Sequence, residues 1–210
     1  YNFPIVIKKY DSSKGEGVYL AKNYSELEFV ITKLFQSENY ICLCPFRKIK
    51  AEYRAIVYNN NCLLCYEKII PHIEGNGEKN SIELIAEYLN DINFTIWDYY
   101  CNLKHRDFIA PNKILKKKEK LRLHWKYNNN KGYTYKETNN SSIIDLAVKA
   151  ANTINAKFVS VDIINSLNHG FEILEINATV ILDSFASLSK NNYKKAIYIY
   201  ESVLKDMFQF

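Results

Sequence analysis

The sequence predicts an α+β fold of two small mixed lobes with antiparallel sheets. Three observations predict it. Apolar runs of strand length come in neighbouring pairs, at 3–8 with 18–21, at 51–58 with 62–69, and at 157–164 with 171–177. The links inside these pairs are turn-forming stretches: 11–17 with two glycines, the triple asparagine 59–61, and 165–170 ending at Gly170. Segments with apolar residues at helical spacing separate and follow the pairs. The first lobe is expected over about 1–46 and the second over about 47–210.

The elements follow in chain order. A strand at 3–8 ends in Lys8, and a second strand at 18–21 returns from the loop. Ser25-Glu-Leu-Glu28 reads as a capping box, and Leu27, Val30, Ile31, Leu34 and Phe35 then recur on one face, so 25–36 is a helix. Strands are expected at 40–46, 51–58 and 62–69. Asn80 opens a helix over 81–90, and Ser142 with Asp145 caps another over 143–154. The C-terminal helix, 191–208, carries Ile197, Tyr200, Val203, Leu204, Met207 and Phe208 as a stripe expected to lie in the core.

Composition narrows the function classes. With 210 residues, 48% of them hydrophobic and 24% charged, the chain can bury a proper core. No apolar run approaches the ~18 residues of a membrane helix. The net charge of +5 is mild, and the dense basic run 116–120 reads as a solvated face. A nucleic-acid role would require that run to face a stripe of aromatics. The chain starts at Tyr1 with no charged-then-apolar leader, and its five cysteines are an odd count, so a reducing, cytoplasmic setting is expected. Cys42, Cys44, Cys62 and Cys65 lie inside apolar runs, where buried free thiols are expected rather than a zinc knuckle. The four histidines have no His-Glu-x-x-His spacing, and no Gly-x-Ser-x-Gly elbow occurs.

Two stretches carry candidate chemistry. Asp162 sits in one apolar run and Glu175 in the next, with Asn177 two residues on. An acid within a strand is costly to bury unless it is paired or binds a cation. In one hairpin register Asp162 lies opposite Glu175, and strand alternation puts Glu175 and Asn177 on one face. Three oxygen ligands would then converge at a spacing suited to a hard cation such as magnesium. The alternative is a pair of edge-strand acids facing water. At the other end of the chain, Ser12, Ser13, Lys14, Gly15 and Gly17 make a loop that exposes backbone N–H groups and permits close approach, as a polyphosphate requires. It is not a Walker loop, and by itself it could equally be an ordinary hairpin turn.

Taken in order, these residues resemble the ATP-grasp ligases. The resemblance runs from Pro4-x-x-x-Lys8 and the Ser/Gly-rich flap at 12–17, through the hinge-like 40–46 and Glu52-Tyr-Arg54, to Asp162 and Glu175-Ile-Asn177. It covers nearly the whole chain. Glu67-Lys-Ile-Ile-Pro71, 72–77 and 81–85 are similar to the stretch after the hinge in cyanophycin-synthetase-like and glutathione-synthetase-like amino-acid ligases, and 125–132 resembles their Asn-containing segment. The hinge departs from the pattern with Cys44 where Gln or Glu is commoner, and His105-Arg106 matches a substrate-side element only weakly. Such ligases normally carry a further α/β domain before the Pro-x-x-x-Lys strand, so the chain is expected to be a piece of a longer protein.

The resemblance implies two lobes sandwiching ATP with magnesium, and ATP-dependent joining of a carboxylate to an amine through an acyl phosphate. Small-molecule carboxylate and amine substrates, amino acids or peptides, are the implied partners, and self-association is left open. Lys8 and Lys68 would clamp phosphates, with the flap residues Ser12, Ser13, Lys14, Gly15 and Gly17 over them. The backbone of Cys44, Pro45 and Phe46 would hold adenine and Glu52 the ribose. Asp162, Glu175 and Asn177 would hold magnesium. Arg54, Lys126 and Lys131 are candidates to stabilise the acyl phosphate. A nucleotide-binding module without ligase activity is the alternative from another class.

Overall fold

The structure, a computed structural model, describes residues 2–10, 17–70, 72–91, 113–122 and 134–208. The chain divides into two units, 1–50 with 166–170, and 51–165 with 171–210.

The first unit is a three-stranded antiparallel sheet in the order β2 (Val18–Ala21), β1 (Ile5–Lys9), β3 (Ile41–Pro45), with helix α1 (Tyr24–Leu34) packed on it. Ile5, Ile7, Ala21, Val30 and Leu34 form its core. Because strand side chains alternate, Val6 and Lys8 take the face away from this core, and the register sets Lys8 opposite Val18 and Cys42 and sets Val6 opposite Cys44. Gly17 ends the β1–β2 connection at a φ of +66°, a conformation that favours glycine, and its carbonyl accepts from the Lys9 N–H at 3.2 Å.

The start of α1 differs from expectation. Asn23, not Ser25, is the N-cap: its side chain accepts from the Glu26 N–H at 2.9 Å, and the Glu26 carboxylate accepts from the Lys22 N–H at 3.0 Å. The asparagine is the earlier polar residue with extended backbone, so the helix begins before Ser25.

The second unit is built on a five-stranded sheet in the order β10 (Gly170–Asn177), β9 (Phe158–Ser166), β4 (Ile49–Tyr58), β5 (Asn61–Ile69), β8 (Thr134–Glu137). β4 and β5 join through Asn59 and Asn60, whose φ values of +43° and +66° are those of a two-residue primed hairpin turn. Hydrogen bonds from Asn59 to Lys157 at one end of β4 and from Leu167 to Lys48 at the other show that β9 runs antiparallel to β4. Helix α2 (Ser81–Asp91) packs with the short antiparallel pair of β6 (His72–Glu74) and β7 (Lys120–Arg122) around Ile73, Ile85, Leu89 and Leu115. Asn80 caps α2 as expected, accepting from the Ile82 and Glu83 N–H groups.

One face of the large sheet is apolar throughout. Ala55, Val57, Cys65, Val159, Val161 and Ile163 meet Ile143, Ala147 and Ala151 of α3 (Ser141–Thr153), a stripe at every fourth residue. Its cap is Asn140, which accepts from the Ser142 N–H at 3.0 Å, rather than Ser142 with Asp145. In the polar run 139–142 the helix starts at Ser141, which leaves Ser142 inside it. The opposite face is apolar only at one end, where Ile56, Leu64 and Tyr66 pack with Leu182, Phe185 of α4 (Asp183–Ala186), and Ala196 and Ile199 of α5 (Lys190–Phe208). The Tyr200 hydroxyl accepts from the Leu182 N–H and donates to the Val180 carbonyl, which ties this segment to α5. The buried stripe of α5 is Ala196, Ile199 and Val203, while Ile197, Leu204, Met207 and Phe208 are exposed. The expected core stripe is therefore rotated by about one residue, because the small side chain of Ala196 lets that side approach the sheet.

Candidate active site

The other end of that second face carries charge instead of apolar side chains. Ala55 and Val57 point to α3, so Glu52 and Arg54 alternate to the opposite face. Lys68 lies directly across from Glu52 in the β4–β5 register. Asp162 is flanked by Val161 and Ile163, both on the α3 side, and so joins the same face.

These four side chains hold one another. The Asp162 carboxylate accepts both Nε of Arg54, at 2.7 Å on Oδ1, and an Nη of Arg54, at 2.6 Å on Oδ2. Lys68 Nζ donates to Asp162 Oδ1 at 3.0 Å and to Glu52 Oε1. Glu52, Lys68 and Asp162 are about 95% buried. A bidentate arginine on a carboxylate is a strong, geometrically specific pair. Two cations against two carboxylates compensate the cost of burying each charge, which none could meet alone.

Electrostatics separate the two acids. Burial alone would push the Asp162 carboxyl up, but the Arg54 hydrogen bonds and the nearby Lys68 and Arg54 charges outweigh it and hold the group below its ordinary value. For Glu52 burial wins: despite the Lys68 charge, and with the Asp162 charge adding to the rise, its carboxyl is pushed up to about 7. Tyr66, buried beside Arg54, is pushed up by burial as well.

Glu175 and Asn177 lie on β10, the strand beside β9. Phe171 and Ile173 pack on the α3-side cluster, and so does Ile176, an odd number of residues from Ile173. Glu175 is exposed and Asn177 half-buried. As a donor set for a hard cation the three side chains fit. A carboxylate offers about four lone-pair sites, Asp162 uses three of them, and the Glu175 and Asn177 oxygens meet no partner among the described residues. No group of three or more His, Cys, Asp or Glu side chains converges among the described residues, so any cation here would rest on two acids and an amide.

In the first unit, Lys8 shares its face with Cys44, and Phe46 donates its N–H to the Pro4 carbonyl at 3.2 Å. Strand β3 is an edge of its sheet, so one backbone edge of Cys44 and Pro45 lies outside that ladder. Gly17 closes the loop as described. Ser12, Ser13, Lys14, Gly15, Lys126 and Lys131 lie outside the described residues, as do His105, Arg106 and the segment 125–132.

What sequence reasoning missed is the mutual pairing. The resemblance gives each of Glu52, Arg54, Lys68 and Asp162 its own ligand, whereas the fold gives each of them a protein partner. The signal was the period-two spacing of Glu52 and Arg54 inside an apolar strand, which places both on one face.

Solved structures share this architecture. D-alanine–D-alanine ligase from Bacillus anthracis matches over 98% of this chain and 53% of its own, at 12% identity and a TM-score of 0.54. The same ligase complexed with ATP matches over 99% and 56%, at 12% identity and 0.53. The chain has the ATP-grasp fold. An ATP-grasp ligase from Chryseobacterium gregarium, RiPP-associated and solved with ADP and a leader and core peptide, matches over 96% and 47%, at 15% identity and 0.48. The chain spans about half the length of these ATP-grasp structures. No family model and no curated protein sequence matches it.

Proposed function

We propose that the chain is the catalytic part of an ATP-dependent carboxylate–amine ligase that uses Mg-ATP and an acyl phosphate, with amino acids or peptides as substrates. The observation that carries this reading is the buried Glu52–Lys68–Asp162–Arg54 network on one face of an ATP-grasp sheet. A carboxylate is a poor electrophile, and phosphorylation by ATP makes it one. The amine then displaces phosphate, and no side-chain nucleophile is required. Catalysis of this kind rests on positioning and on neutralising developing charge.

Lys68 suits that task because two carboxylates fix its ammonium before any ligand arrives, which removes an ordering cost at the moment of binding. Arg54, held flat against Asp162, keeps further N–H donors for phosphate oxygens. Magnesium, held by Asp162, Glu175 and Asn177, would neutralise phosphate charge. Glu52 would take the ribose hydroxyls through the carboxylate oxygen that Lys68 does not use. Lys8 as a phosphate clamp and the backbone of Cys44–Phe46 as the adenine edge come from the sequence resemblance, and both belong to the first unit.

Thermal unfolding with Mg-ATP, magnesium alone and a single-stranded oligonucleotide tests the reading. A ligand that binds only the folded state stabilises it by RT ln(1 + [L]/Kd), so millimolar ATP on a ~10–100 µM site adds roughly 1.4–2.7 kcal/mol. No response to Mg-ATP removes the nucleotide site. A response to Mg-ATP without ADP formation across a panel of amino acids favours a nucleotide-binding module instead, and a response to the oligonucleotide alone favours a nucleic-acid domain.

A further inference from the structure

A second cluster lies on the opposite, α3-covered face of the sheet. The register between β4 and β5 slips at Ile56/Val57: Val57 pairs with Cys62 but Ile56 pairs with Leu64, so Leu63 is an extra residue in β5. The slip changes which residues of β5 share a face. Cys62 and Cys65, three apart and on opposite faces of a regular strand, stand opposite Val57 and Ala55, which both point to α3. The Cys62 thiol donates to the Leu64 carbonyl across the slip, at 3.5 Å. The Cα atoms of Cys62 and Cys65 span two residues of partner strand, roughly 6.6 Å at the usual strand rise, within the Cα separation of about 4.4–6.8 Å that a disulfide bridges.

The two thiols are not equivalent. Cys65 is buried, whereas Cys62 lines a surface pocket of about 680 Å³ between the β4–β5 turn and α3. The pocket wall is about half polar, with Asn60, Asn61, Asp145, Lys149 and Asn152 supplying amides and both signs of charge beside Ile144 and Val148. Hydrogen bonding from Cys65, against the opposing effect of burial, holds the Cys62 thiol below its ordinary value, and the same bond raises Cys65. A thiol with that bias is the one that attacks, and its neighbour is the one that resolves.

We propose that Cys62 and Cys65 form a thiol–disulfide exchange site, with the pocket at Cys62 admitting a low-molecular-weight, peptide-like disulfide. The Cys62 thiolate attacks one sulfur of the incoming disulfide, its S–S bond breaks, and one thiolate leaves and takes up the proton Cys62 gave up. The Cys65 sulfur then attacks Cys62 Sγ, forming the internal disulfide, and the second small thiol leaves with the Cys65 proton. Two protein thiols are oxidised and one small disulfide is reduced to two thiols. The amide and charged groups of the pocket match the amides and termini of a peptide-like disulfide.

The test exposes the reduced full chain to glutathione disulfide and follows intact mass and peptide maps with time. The expected result is a transient mixed disulfide on Cys62, followed by loss of two hydrogens and a Cys62–Cys65 cross-link. In Cys65→Ser the mixed disulfide on Cys62 should persist. In Cys62→Ser, modification of Cys65 should be roughly tenfold slower or more, since the buried thiol lacks the exposure and thiolate character that set reactivity. The same order is checked in the unmutated protein with limiting iodoacetamide, where Cys62 should be carbamidomethylated ahead of Cys42, Cys44 and Cys65. A Cys62 that reacts no faster than Cys42 and Cys44, or a Cys65→Ser protein that forms no adduct at Cys62, overturns the proposal.

Discussion

Asp162 binds Arg54 through both carboxylate oxygens, at 2.7 and 2.6 Å, while its Oδ1 also accepts from Lys68 at 3.0 Å. One acid thus anchors two cations from two strands on the buried part of a sheet face. Asp162→Asn would leave Arg54 and Lys68 with a neutral partner, and removing one side of a buried pair costs about 3–5 kcal/mol. Urea unfolding should report a loss of that size. Because the groups are coupled, the double variant Arg54→Met/Asp162→Leu should lose clearly less than the sum of the two single variants. Additive losses would show that the pairing contributes little.

The two acids predict opposite pH dependences. Glu52 titrates near 7 in the fold against 4.5 unfolded. Between those values the folded chain keeps a proton that the unfolded chain has lost, so this group lowers stability as pH rises from 4.5 and levels off above about 7. Asp162 is depressed, so its contribution is present above its ordinary value of 3.8 and is lost as pH falls below it. Unfolding free energies measured across pH should therefore diverge between wild type and variant. Glu52→Gln should flatten the decline on the way to neutrality and keep the acid-side loss, and Asp162→Asn should do the reverse. A Glu52→Gln profile parallel to wild type up to pH 7 would place that titration elsewhere.

The caps give a local test. Asn23 accepts from the Glu26 N–H, whereas Ser25 lies inside α1 on the exposed side. Asn23→Ala should cost about 1 kcal/mol, and Ser25→Ala should stay within about 0.5 kcal/mol. Equal costs in chemical denaturation would contradict the assigned cap.

These residues also show which parts of the fold the sequence could carry. Pairings between strands joined by short turns were legible, because Asn59 and Asn60 tolerate the positive φ that a tight hairpin needs and the flanking apolar runs have strand length. Helix positions were legible to within a few residues, but caps were not. In the runs at 23–25 and 139–142 several adjacent side chains could accept the first N–H, and tertiary placement selects one. Bulk points to a face of α5 about one residue away from the buried one, because close packing favours Ala196 there. Least legible was the slip in β5. A single extra residue reverses every later side chain, and it is what unites Cys62 with Cys65 on one face. Candidate residues could thus be named from sequence, but not who holds whom.

The last prediction separates the phosphate and cation roles. Lys8→Ala removes a cation from the face of β1 opposite the first unit's core, and Glu175→Gln alters an exposed side chain. Neither change empties a core, so each variant should unfold within about 0.5 kcal/mol of wild type when no ligand is present. Under Mg-ATP they should differ. Lys8→Ala should lose most of the stabilisation, with or without excess magnesium, because a phosphate clamp is gone. Glu175→Gln should keep the metal-independent part and lose the increment that magnesium adds, since a neutral amide is a poorer ligand for a hard cation than a carboxylate. Raising magnesium should restore part of the Glu175→Gln response and none of the Lys8→Ala response. If both variants respond as wild type does, the roles given to Lys8 and Glu175 are wrong while the fold stands. If both lose the response equally and magnesium restores neither, Glu175 acts on the nucleotide by some route other than the cation.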